Sequence, residues 1–128
     1  MKILLFIGST LIFAVNALAD VKGLICSDKD SFNVFYLIDV EREKVSYTNQ
    51  LTEDWSSTKL IESSLTHLKW KEGSIPVWKV SLQRETLVIR KTTSEKNPLK
   101  YDCSVHDRDT TIEGHEISTE KQRKRNKI

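Results

Sequence analysis

"PVWKVSLQRETLVIRKTTSEKNPLKYDCSV", residues 76–105, alternates apolar and polar side chains through three successive runs. Trp78, Val80 and Leu82 oppose Lys79, Ser81 and Gln83, and Leu87 and Ile89 oppose Val88 and Arg90. In the third run Leu99, Tyr101, Cys103 and Val105 oppose Lys100, Asp102 and Ser104. A period of two belongs to half-buried strands of an antiparallel sheet. The polar joint "QRET" predicts a hairpin between 76–83 and 86–92. "EKNP" at 95–98 marks the next turn, with Pro98 at the strand entrance, where a missing N–H does least harm.

Working outward, "LTHLKWKEG" (65–73) reads as a strand ending at Gly73, with Leu68 and Trp70 on one face and His67 on the other. "STKLIES" (57–63) is a weaker strand, and "LTEDWSS" (51–57) is polar and turn-like, which makes Trp55 the weakest core candidate of the three tryptophans. Near the start, "VKGLICS" is a short strand. "SFNVFYLIDV" (31–40) is apolar on both faces, so it lies mid-sheet or under an outer cover. "EREK" then turns the chain into "KVSYTNQ". About eight short strands at hairpin spacing predict an all-β fold, an antiparallel meander curled into a small barrel or half-barrel.

Residues 1–19 pair Lys2 with an apolar stretch ending Ala17, Leu18, Ala19, the pattern of a secretory signal peptide cleaved after Ala19. The rival reading is an uncleaved anchor, which Gly8, Ser9, Thr10 and Asn16 dilute. Cleavage leaves one small β-domain, 20–106, and a polar tail, 107–128, and places the protein in an exported, periplasmic or secreted compartment. An exported chain whose two cysteines are Cys26 and Cys103 implies one disulfide, joining the first strand to the last and stapling the meander's edges. The alternative is a bridge between neighbouring, non-terminal strands. The tail has almost no apolar periodicity; it predicts a mobile segment with at most a short helix over 119–127 capped by Ser118. Residues 120–128 hold five Lys or Arg against one Glu, within a chain of net charge +2. Weak contact with an anionic surface fits that tail; nucleic acid does not, because no aromatic platform accompanies it.

"KGLICS", the "WKVSLQRETLVI" hairpin, "LKYDCSV" and the ending "RKRNKI" resemble a group of small exported bacterial proteins. In that group a W-x-[IVL]-x-L-[ND]-R-x-T-L hairpin precedes a Y-x-C strand. Gln83 stands where the group has Asn or Asp. The group has no established function, so the resemblance implies fold and compartment only.

The chain contains no glycine-rich phosphate loop, G-x-S-x-G, H-E-x-x-H or C-x-x-C, and a disulfide removes both thiols as nucleophiles. His106 and His115, each followed by a carboxylate, are the residues from which a metal site or a small hydrolase would be built, although no fixed ligand spacing joins them. Asp28/Asp30, Glu41/Glu43 and Asp107/Asp109 sit in predicted turns, where carboxylates serve solubility and local hydrogen bonding. These observations assign no catalytic residue, metal or cofactor. They favour a noncatalytic binding module for a small apolar ligand or an exported protein partner, with no ligand-binding residue assigned. The alternative is an inhibitor of a cell-wall lytic enzyme. An early cysteine, a β-meander and a late Y-x-C look like periplasmic lysozyme inhibitors, but their Ser-Gly-x-x-Tyr loop has no counterpart here.

Overall fold

The computed structural model describes residues 21–29, 33–49 and 52–126; the expected signal segment and Asp30 lie outside them. Nine strands run in chain order as β1 (Val21–Ser27), β2 (Asn33–Asp39), β3 (Lys44–Asn49), β4 (Thr52–Lys59), β5 (Glu62–Ser63), β6 (His67–Glu72), β7 (Trp78–Gln83), β8 (Val88–Thr92) and β9 (Leu99–His106), followed by helix α1 (Arg108–Asn126). Every strand pair is antiparallel, and the sheet order is β4-β3-β2-β1-β9-β8-β7-β6-β5. The sheet curls into a half-barrel, as the alternation predicts.

The predicted hairpin is β7–β8, closed at Leu87, whose N–H bonds the Gln83 carbonyl and whose φ is 57°. Cys26 lies directly opposite Cys103 across β1 and β9, and the two are bridged. The first and last strands therefore meet as expected, but in the middle of the sheet. Its edges are β4 and β5, so the staple does not protect an edge. Of "LTEDWSS", expected as a turn, residues 52–57 belong to β4, where their backbone pairs with β3, and Leu51 lies outside the described residues. At the bend after β4 the N–H of Leu60 bonds the Glu43 carbonyl and that of Ile61 the Lys69 carbonyl. These bonds turn Leu60 into the core and draw the seam together.

The concave face holds the core, including Leu24, Val34, Tyr36, Ile38, Val45, Leu68, Trp70, Val80, Leu82, Ile89 and Tyr101. Leu99 and Val105 share the inward parity but lie at the two ends of β9, where the concave face runs out, and remain partly exposed. Strand β2 is buried on both sides, as its sequence implies. Val34, Tyr36 and Ile38 face the core, while Phe35 is covered outside by α1.

That cover comes from the segment expected to be a mobile tail. The helix starts eleven residues before the predicted one and is capped by Asp107, not Ser118: the Asp107 carboxylate accepts the Thr110 N–H at 2.7 Å. The same bond, first among the causes, holds the Asp107 carboxyl below its usual range. Arg123, Lys124 and Arg125 occupy the last turn, where cations oppose the helix dipole. The buried positions of α1 are Thr111 and His115, so its contact stripe carries almost no hydropathic signal.

Gly23 lets α1 approach β1. A Cβ there would collide with Thr111 Oγ1 and lie 2.9 Å from the Asp107 carbonyl. Gly23→Ala therefore lifts the start of the helix and is expected to lower stability by about 1–3 kcal/mol, the range for overpacking a filled site. Urea denaturation reads this; an unchanged midpoint would show that α1 contributes nothing there.

Candidate functional site

The mouth of the half-barrel lies at the end carrying the β6–β7 and β8–β9 loops. Period-two geometry sends Glu72, two residues beyond Trp70, and Lys91, two beyond Ile89, into the concave face. They lie on β6 and β8, either side of β7, and meet there with Nζ 2.7 Å from Oε1. Both side chains are less than a tenth exposed. The other carboxylate oxygen, Oε2, accepts the Tyr36 hydroxyl at 2.9 Å and the Trp70 indole N–H at 2.8 Å. The Lys91 ammonium also lies 5.5 Å from the Tyr36 ring centroid and 5.2 Å from that of Tyr101, distances at which ring quadrupoles attract a cation. Across the seam, Gly73 donates its N–H to the Tyr47 hydroxyl at 3.3 Å.

Burial, then the charge and hydrogen bond of Glu72, hold the Tyr36 phenol well above its usual 10.0. Burial, then Asp28 and Glu72, raise Tyr101 in the same direction. The two phenols stay protonated, and Tyr36 remains a donor to Glu72. Above this cluster opens a cleft of about 500 Å³. Val34, Tyr47, Trp78, Leu99 and Tyr101 supply its apolar and aromatic lining together with Ile75 and Pro76 of the β6–β7 loop, and Lys96 stands in its wall. Among the described residues that line it Glu72 is the acidic one, and three donors already occupy it.

The residues singled out from sequence fall elsewhere. Cys26 and Cys103 form the disulfide. His106 ends β9, with Nε2 2.8 Å from Ser104 Oγ. His115 is buried between the Phe35 and Trp55 rings, with centroids 5.4 and 5.2 Å away, and so serves the packing of α1. His67 contacts Thr66. Glu43 reaches Lys59, Asp109 reaches Arg108, and Asp107 caps the helix. Among the described residues no group of three or more His, Cys, Asp or Glu is placed to hold a metal ion. Glu72 and Lys91 were missed, although extending each inward parity by one step places both in the core. No protein-family model, no curated protein and no solved structure matches this chain.

Two stability effects follow. Glu72→Ala leaves Lys91 buried without its counter-charge and is expected to cost about 3–5 kcal/mol, whereas Glu72→Gln combined with Lys91→Met recovers most of it. Urea denaturation of the variants checks the pair. A second effect concerns pH. The folded Tyr36 pKa is raised, so its contribution is complete below about pH 10 and lost as pH rises, because the unfolded chain releases the phenolic proton first. Tyr36→Phe should flatten that alkaline limb while costing about 1.5–3 kcal/mol at neutral pH for the lost bond to a charged acceptor. An unflattened limb in the variant would assign the alkaline loss to another group.

Proposed function

We propose that this protein is an exported, noncatalytic binding module whose half-barrel takes a small amphipathic anion through its open mouth. The observation that carries the reading is the cleft itself: an aromatic and apolar lining over a buried ammonium whose counter-carboxylate is shared among three donors. A volume of about 500 Å³ suits a small ligand. Its apolar body would lie against Trp78, Leu99 and Tyr101, and its acidic head toward Lys91 and Lys96. Lys91 has three donors and gives one to Glu72, which leaves hydrogen-bonding capacity for an incoming oxygen. Retaining a buried ion pair where apolar side chains of equal volume would be at least as stable also favours a role beyond folding.

Export rests on the leader pattern of residues 1–19 and is compatible with the disulfide. Mass spectrometry of the protein from its native host tests it. The expected mass corresponds to residues 20–128 less two thiol hydrogens; a full-length or reduced mass would remove the compartment from the proposal.

Binding is tested by titrating the purified protein with decanoate and, in parallel, decanol, while following tryptophan fluorescence. Decanoate should saturate a single site. Lys96→Gln should weaken it several-fold, and the stable Glu72→Gln/Lys91→Met variant should bind at least tenfold less tightly, the loss of one charge-assisted contact. Equal responses to acid and alcohol, or undiminished binding by the double variant, would overturn the reading.

A further inference from the structure

Helix α1 covers the convex side of β1 and β2, whereas the convex side of β6–β9 is open and basic. Across β6 and β7, Lys71 stands directly opposite Lys79. Across β8 and β9, Arg90 stands directly opposite Lys100. Ser81 lies between Lys69 and Arg90, and Thr92 lies opposite Lys79. All five cations are exposed. Like charges directly opposed in a sheet repel, so this arrangement opposes folding. The carboxylates at hand leave it largely uncompensated. Glu62 takes Lys69 at 3.5 Å, and Asp102 follows Lys100 on the same face of β9. Among the described residues no carboxylate forms an ion pair with Lys71, Lys79, Arg90 or Lys100.

One end of this basic face carries an apolar tip. In the β6–β7 loop Ile75 is 91% exposed and Val77 42%, next to a cis Pro76. A shallow hollow of about 560 Å³ joins tip to face: Ile75, Pro76 and Val77 form one wall, Lys79 and Thr92 lie beneath, and Glu95 also lines it without forming an ion pair with Lys79. A bulky aliphatic apex with lysines behind it matches the interface of a bilayer, where apolar side chains enter the acyl boundary and cations meet the headgroups. A polyanion such as a sulfated glycan or nucleic acid would use the cations but not the aliphatic tip, and this face presents no exposed aromatic ring for stacking.

We propose that the convex face of β6–β9 docks the protein peripherally on an anionic lipid bilayer, with Ile75 as its apolar anchor and Lys71, Lys79, Arg90 and Lys100 as its headgroup contacts. Among the described residues no helix is long and apolar enough to cross a membrane. The docking does not depend on the ligand reading of the concave side.

The test is flotation of the intact mature protein with vesicles of equal parts phosphatidylglycerol and phosphatidylcholine, with pure phosphatidylcholine vesicles alongside. Partition is expected onto the anionic vesicles only and should weaken as salt is raised. At about fivefold per surface cation, Lys79→Gln/Arg90→Gln should reduce the partition coefficient about 25-fold, and Ile75→Ser should reduce it several-fold. The same double variant should melt at or above the parent temperature, because it removes like-charge repulsion, which separates lost docking from lost folding. Several results would overturn the proposal: no partition, equal partition on pure phosphatidylcholine, or undiminished partition of the double variant. So would binding to dextran sulfate without binding to vesicles, or loss of partition on neutralising Lys121, Arg123, Lys124 and Arg125 instead.

Discussion

The pairing of β1 with β9 determines where everything else can lie. Cys26 and Cys103 face each other across it, with Cα atoms 4.0 Å apart, and the Cys103 N–H turns away to the carbonyl of Leu87, just before β8. The rung between the cysteines therefore has no N–H from Cys103, and the sulfur bond closes it. Because the chain's first and last strands meet in mid-sheet, the sheet's free edges come from the chain's middle, β4 and β5. The bridge closes a loop of sequence separation 77, for which the chain-entropy model gives about 4.5 kcal/mol. Set against the roughly 5–15 kcal/mol that holds a domain of this size folded, that constraint decides whether the curled sheet persists.

Curling gives the sheet two unlike faces and the concavity two unlike ends. The mouth holds Tyr36, Trp70, Glu72, Lys91 and Tyr101 in one hydrogen-bonded and cation–aromatic cluster, and among the described residues no buried side-chain nitrogen or oxygen lacks a partner. A satisfied polar cluster is rigid, because each member's rotamer is held by another. Rigidity at the base of an open cleft is what a binding site needs, since the ordering of its walls is complete before a ligand arrives.

Strand parity made β6 to β9 and the hairpin legible, since most inward residues there are large and apolar, and the two cysteines of a chain with a leader pattern made the disulfide legible. The first part of β4, residues 52–56, escaped because no apolar alternation marks it, and its backbone pairing with β3 makes it strand, whereas residues 57–59 fall within the weaker strand expected over 57–63. The helix escaped for a related reason: its buried residues are Thr111 and His115, so it brings little apolar area of its own to Phe35 and Ile25 and relies on close approach at Gly23 and Gly114. The double-sided burial of β2 did announce a cover. Nothing in residues 108–126 announced that it would supply it. The candidate site was hidden by distance. Histidines followed by carboxylates attract attention because they are neighbours in sequence, whereas Glu72 and Lys91 become neighbours only after β7 is laid between their strands.

The same period of two that hides the pair also explains how it helps specify the fold. On β8, "VIRKT" sends Ile89 and Lys91 inward and Val88, Arg90 and Thr92 outward; on β6, Trp70 and Glu72 point inward and Lys69 and Lys71 outward. A slip of one residue in the pairing of β8 would reverse every side chain, exposing Ile89 and burying Arg90 and Val88. Hydrophobicity alone penalises that slip weakly, since Val88 is itself apolar. The charges discriminate further. Lys91 in register meets the Glu72 carboxylate at 2.7 Å with tyrosine rings on its flanks, whereas a slipped β8 would turn Lys91 to the convex side and leave Glu72 to a guanidinium with no space built for it. A buried ion pair that adds little net stability can still select one register over another. The register selected here leaves Arg90 outward, opposite Lys100, so the pair that organises the cleft also places a cation on the convex face.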